Sequence, residues 1–363
     1  MYHRQILLAG ALSLSVLLSS CGGGGAMYRG DAMHSGVISE GAPYELDSLA
    51  WKFAAPDKTY SSPTADGEHV YLGSNDGYMY VIDQHSGVPG WKIRTGSNVE
   101  STAAVADGVL YFGSWDKHIY AVTLDSRQIR WKFRVGGPVS SSPVVLDGRV
   151  YVGSEDGHVY ALDADSGREI WRFNAGGAVY SSPAADDGHV YFGTLKGDLY
   201  AVNRHSGQEY WRFSTNHKIH SSPALDGDKV YFGSDDKHVY AVNIRTGQQL
   251  WRKKTAGQVL SSPAVFADKV IIGSKDGYIY AFDRENGARH WEFRTDGPVF
   301  APAVVASGIV FIGSTDQHLY ALEAERGTLL WKYRTEDKIY SGATVSGGRV
   351  FFNNVAGSLY AVQ

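Results

Sequence analysis

His217 and His220 stand three residues apart, a spacing at which two imidazoles can share one zinc ion. Zinc needs further ligands, and no cysteine or acidic third ligand is recognised beside the pair, so no metal is expected there. Cys21 is the only thiol among 363 residues, which excludes an intramolecular disulfide. Asp76, Asp116, Asp156, Asp236, Asp276 and Asp316 recur at multiples of forty residues, as do His118, His158, His238 and His318. A carboxylate repeated in this way is first a turn former, because the Asp side chain bonds to nearby backbone. Copies spread over separate repeats do not converge on one ion, and the loops lack the alternating oxygen ligands of an EF-hand. There is no nucleophile elbow, phosphate loop or HExxH sequence. The chain therefore presents no catalytic constellation, and neither an enzyme nor a resident metal is expected.

The same periodicity is a fold signal. Trp51, Trp91, Trp131, Trp171, Trp211, Trp251, Trp291 and Trp331 follow one another every forty residues without one net insertion or deletion. Apolar residues make up 43% and charged residues 20%, with 43 Gly and 23 Tyr, the composition of a soluble, turn-rich, aromatic-packed chain. Within residues 131–170, Trp131 to Arg134, Ser141 to Leu146, Arg149 to Gly153 and His158 to Asp163 read as four strands. Asp147-Gly148, Glu155-Asp156-Gly157 and Asp165-Ser166-Gly167 supply the turns between them. No segment carries helical periodicity. Four antiparallel strands cannot bury both faces alone, which predicts an all-β, eight-bladed β-propeller. Its inner strands begin near Ser61, Ser101, Ser141, Ser181, Ser221, Ser261, Ala301 and Ser341. The last blade lacks an outer strand, and Tyr44 to Phe53 is an outer strand without a blade, so the N-terminal strand is expected to close the ring. Each Trp is expected to pack between blades. Seven of the eight residues that follow them are Lys or Arg, which suits outermost strands that must resist edge-to-edge pairing.

Ahead of the repeats, Arg4 precedes an apolar run from Ile6 to Leu18, which is too short to span a bilayer but suits a signal-peptide core. Leu18-Ser19-Ser20-Cys21-Gly22 resembles a bacterial lipoprotein lipobox, in which the cysteine is acylated. The resemblance implies a signal peptide over 1–20, a lipidated Cys21 with a Gly-rich tether and lead-in over 21–43, and the propeller over 44–363. A tether of about 23 residues would reach roughly 75 Å if fully extended. The net charge of −4 gives no global basic field, so neither nucleic acid nor a polybasic membrane contact is expected. The protein is expected to be exported and lipid-anchored, with Gly22 after the cysteine resembling an outer-membrane sorting pattern.

Ala161-Leu-Asp163-Ala-Asp-Ser-Gly167-Arg-Glu-Ile-Trp171 resembles the tryptophan-docking motif of pyrroloquinoline-quinone (PQQ)-type propeller repeats. The motif recurs before Trp91, Trp211, Trp251, Trp291 and Trp331, and departs before Trp131 at Thr123 and Arg127. Tyr28-Arg29-Gly30-Asp31 resembles the lead-in of these proteins. Two subfamilies compete. Quinoprotein dehydrogenases carry long insertions, calcium, a catalytic aspartate and an adjacent-cysteine disulfide. BamB-type lipoproteins are non-enzymatic scaffolds that help insert β-barrel proteins into the outer membrane. A single cysteine forbids the vicinal disulfide, and blades without insertions offer no loops to enclose PQQ. The resemblance implies an envelope scaffold that works with the β-barrel assembly machinery or its unfolded clients, without a cofactor. A PQQ-dependent dehydrogenase and a glycan or cell-wall binding propeller are the alternatives.

Recognition would use residues that break the eight-fold symmetry. The position before each inner strand reads Tyr60, Glu100, Ser140, Tyr180, His220, Leu260, Phe300 and Tyr340, a ring expected at the mouth of the central channel. Aromatic residues and His suit partner contact, or alternatively plug the channel. On the same face Lys196 and Ala356 replace the hairpin aspartate, four blades apart, and would orient an elongated partner. Repeats seven and eight also depart at Phe300-Ala301-Pro302 and Ser341-Gly342, which points to blades seven, eight and one as the contact sector.

Overall fold

The computed structural model describes residues 26–363, and over them the alternation of the repeat becomes eight four-stranded units around a central channel. In blade three, Val144–Leu146, Arg149–Gly153, His158–Asp163 and Glu169–Asn174 pair in antiparallel order from the channel outward. The two middle strands are buried on both faces, because each blade is covered by the next, and so they read as runs of Val, Leu and Tyr. Only the outermost strand alternates exposed and buried positions. Its pairing slips between Ala161–Trp171 and Leu162–Glu169, a one-residue bulge at Ile170 that turns the indole toward the neighbouring blade. The inner strand starts at Val144 rather than Ser141, since Pro143 has no N–H and the two serines before it bond across the channel wall.

Ring closure is as expected. Leu49–Ala54 pairs antiparallel with Ser358–Val362, placing Trp51 opposite Ala361 and Phe53 opposite Leu359. Each ladder indole then docks on the following blade. The Trp131 Nε1–H donates to the Ala164 carbonyl at 2.9 Å, and Trp51, Trp171, Trp211, Trp251 and Trp291 repeat the contact at 2.8–3.0 Å. Trp331 Nε1 lacks this partner, and Trp91 meets the Arg127 guanidinium at 6.0 Å where the docking motif departs. The docking glycine is constrained twice over. Gly167 has φ 69°, and a Cβ there would fall 2.5 Å from the Trp131 ring; Gly207 stands in the same relation to Trp171.

A belt of hydrogen bonds lines the channel. The N–H of Ser62 donates to Thr102 Oγ1, that of Thr102 to Ser142 Oγ, and so on through Ser182, Ser222 and Ser262 at 2.9–3.0 Å. Pro302 has no hydroxyl to continue it, and Gly342 restarts it on Ser62. The departures in repeats seven and eight are therefore, in part, features of this belt.

Beneath the mouth the lead-in threads the channel. Ala26 pairs with Val105 in blade two, and the carbonyls of Ala32, Met33, Ser35 and Gly36 accept from the N–H groups of Ala185, Leu225, Val265 and Val305. Val37–Ile38 then adds a parallel strand to blade seven, and Glu40 accepts from Gly347 in blade eight. These N–H groups share one repeat position, so the ribbon satisfies inner edges that four-stranded blades leave open. The expected 23-residue tether is corrected accordingly: from Ala26 onward the lead-in is fastened to the propeller by hydrogen bonds. Cys21 and the signal-peptide segment lie outside the described residues. The ribbon carries Arg29 and His34 into the interior, where burial lowers Arg29 to about 10 and, with Arg29 beside it, keeps His34 neutral.

Candidate functional site

The inter-blade loops deliver the eight expected positions to one place. Tyr60, Glu100, Ser140, Tyr180, His220, Leu260, Phe300 and Tyr340 encircle a cavity of about 180 Å³ whose floor is Tyr28 and the hydroxyl belt. Loop position is set from the hairpin side. In blade three, Asp156 accepts from the N–H of His158 at 3.0 Å, the Tyr160 hydroxyl at 2.8 Å and the N–H of Gly136, in the preceding inter-blade loop, at 2.7 Å. Asp116, Asp156, Asp236, Asp276 and Asp316 thus fix loops that carry mouth residues. The periodic histidines lie half-buried beside them, with His158 Nδ1 3.3 Å from Asp156.

The mouth has two unlike sides. Phe300 stacks on Tyr340 at 5.3 Å between ring centres, and Tyr60 joins at 6.2 Å, so blades seven, eight and one form one aromatic cluster. Across from it, Tyr180 packs edge-on to His220 at 6.1 Å. Burial and the nearby Glu155 push the Glu100 carboxyl up to about 7, against a hydrogen bond from Asn75. Ser140 Oγ donates to Glu155 at 3.0 Å and accepts from Trp115 Nε1 at 2.9 Å.

Three expectations are corrected. The His217 and His220 pair does have an acidic neighbour: buried Asp235, one carboxylate oxygen 3.2 Å from His220 Nδ1 and the other 3.7 Å from His217 Nδ1. The carboxylate sits between the rings and turns a different oxygen toward each. Lys196 does not line the mouth cavity; its side chain lies against Gly176 and Gly177 in the inter-blade loop before blade four. Ala356 marks a relocated acid rather than a lost one. Glu336, one loop earlier, bonds to the Tyr360 hydroxyl, to Ser358 Oγ at 2.6 Å and to Lys52 at 2.6 Å. Burial opposes its ionisation, but these three partners outweigh burial and hold the carboxyl at about 2. Replacing Glu336 with Ala is expected to cost about 1–2 kcal/mol by stranding a part-buried hydroxyl. Adding Ala356→Asp should restore most of it in urea denaturation, and no rescue would refute the relocation.

Sequence reasoning missed the second ring of the mouth, where Asn75, Trp115, Glu155 and Asp235 share one hairpin position. A signal was present, since the chain has nine Trp and the ladder uses eight. It also passed over Asp268, Asp283 and His290 on blade six, where His290 Nε2 is 3.5 Å from both carboxylates. Lys269 Nζ, 2.6 Å from Asp268, already neutralises part of that cluster. Among the described residues no helix is long and apolar enough to cross a membrane.

Known proteins share this architecture. The family profile described as "Beta-alanine-activating enzyme, beta-propeller" matches residues 147–363, and that described as "Outer membrane protein assembly factor BamB" matches 40–113 and 90–176. No curated protein sequence matches the chain. Among solved structures, BamB from Moraxella catarrhalis superposes with a TM-score of 0.75 at 18% identity, covering 87% of this chain and 99% of its own. A europium-containing methanol dehydrogenase gives 0.81 at 14% identity, covering 93% and 97%. The quinohemoprotein alcohol dehydrogenase from Comamonas testosteroni gives 0.80 at 13%, covering 93% and 80%. At these identities the superpositions speak to fold alone.

Proposed function

The chain belongs to the PQQ-like β-propeller family, and from that premise we propose that it is a non-catalytic, lipid-anchored interaction platform of the cell envelope that assists β-barrel protein assembly at the outer membrane. The observation that carries this reading is the mouth: one face of a regular ring gathers unlike aromatic, acidic and imidazole side chains around a shallow cavity closed below by Tyr28. Such a surface offers aromatic anchors and a polar rim to a protein partner. The BamB profile supports the assembly role, and the Leu18-Ser19-Ser20-Cys21 sequence supports the anchor.

PQQ is ill matched to this mouth. It is a polycarboxylate, while the cavity lining contains Glu100 and neither Lys nor Arg.

Replacing Tyr60, Tyr180 and Tyr340 together with Ala is expected to abolish capture of envelope partners from solubilised membranes without lowering the melting temperature appreciably. Unchanged capture by a folded triple variant would sink the platform reading. Incubation with PQQ and calcium is expected to leave the absorbance spectrum additive, whereas a tight stoichiometric change would favour an oxidoreductase.

A further inference from the structure

The acidic side of the mouth is short of positive charge. Tyr60, Trp115 and Tyr180, with Glu100, Asn75 and Asn98, line a recess of about 390 Å³ that opens beside the channel. Asn75 lines the recess beside Glu100, and its Oδ1 is buried without any donor. Glu155 adds a second carboxylate close enough to disfavour ionisation of the first. Trp115 is pinned by its bond to Ser140, so its N–H is used and its ring face is what remains to offer. Lys58, the basic residue of the lining, is exposed at the rim and pairs with neither carboxylate.

We propose that this recess is a receptor for a basic side chain, an arginine or lysine presented by an extended segment of the partner protein. The proposal rests on the platform reading and names the chemistry that the platform recognises. Carboxylates supply acceptors to a multi-donor cation, and aromatic faces attract the same cation through their ring electrons. A guanidinium suits the arrangement best, being planar and able to stack on a ring while its edge bonds a carboxylate. An anionic segment would meet Glu100 and Glu155 with like charge, and a neutral glycan would leave both carboxylates uncompensated.

The test is calorimetric titration of the full-length protein with acetyl-Gly-Arg-Gly-amide, its Lys analogue and its citrulline analogue, which keeps the shape of arginine without the charge. The two basic peptides are expected to bind and the citrulline peptide to bind at least about tenfold more weakly. A Glu100→Gln, Glu155→Gln double variant that melts like the parent should lose about tenfold for arginine. Trp115→Leu should weaken binding while both carboxylates remain. Equal binding of the citrulline peptide, or arginine affinity untouched in the double variant, overturns the proposal. Tighter binding of agmatine than of either peptide also overturns it, in favour of a free amine. Failure of the peptides while the triple tyrosine variant loses capture would leave the platform standing without its cation receptor. Peptide binding with capture untouched would do the reverse.

Discussion

A protein lacking residues 44–54 is expected to lose cooperative folding of the entire ring, not of one blade. Those residues supply the outer strand of blade eight, and without them the fully buried strand Ser358–Val362 becomes an open edge. They also carry Trp51, whose ring packs 5.6 Å from Phe351 and whose Nε1–H donates to Gln84 in blade one. Removal opens the seam between the last and first blades, so each loses its cover. Truncating Trp51 alone to Ala should cost about 3–5 kcal/mol, a large part of the stability of an ordinary domain. Circular dichroism melts of the deletion and of Trp51→Ala check both claims, and a deletion that melts at the parent temperature would refute the closure.

The second large effect is expected from a methyl group. Gly167→Ala places a Cβ 2.5 Å from the Trp131 ring at a residue whose φ is 69°. The left-handed backbone costs about 1–2 kcal/mol for any residue with a Cβ, and displacing a buried indole adds to it. Gly148→Ala separates the two contributions, because φ there is 68° and nothing lies within 4 Å of the added carbon. Urea denaturation should show Gly167→Ala at least about 2 kcal/mol worse than Gly148→Ala. Equal losses would mean that the indole is not held by the contact.

What the sequence disclosed, and what it hid, follows from how far each contact reaches. Blade number, strand order and the closing strand were legible because Trp51 through Trp331 keep one register and local turn chemistry repeats with them. The mouth ring was legible for a related reason: once the register is known, Tyr60 and Glu100 are visible as departures from it. The path of residues 26–40 was not, since it is held mainly by backbone carbonyls that leave no mark on residue type. Glu336 was hidden because its service to Tyr360 is visible only when loop and hairpin are seen side by side. Asp235 was hidden in the same way, standing fifteen positions beyond His220 yet touching it.

The closing strand also sets a timetable. Leu49 pairs with Val362, so the closing strand must wait for a partner made after all the other blades. Contacts of such sequence separation are slow to form, and an apolar strand left unpaired in the interval is an invitation to aggregate. A chain emerging N-terminus first, whether from a ribosome or a translocation pore, would carry this strand exposed until Ser358–Val362 has emerged. Seven blades can stack before the eighth exists, but the ring locks only when Leu49–Ala54 meets Ser358–Val362.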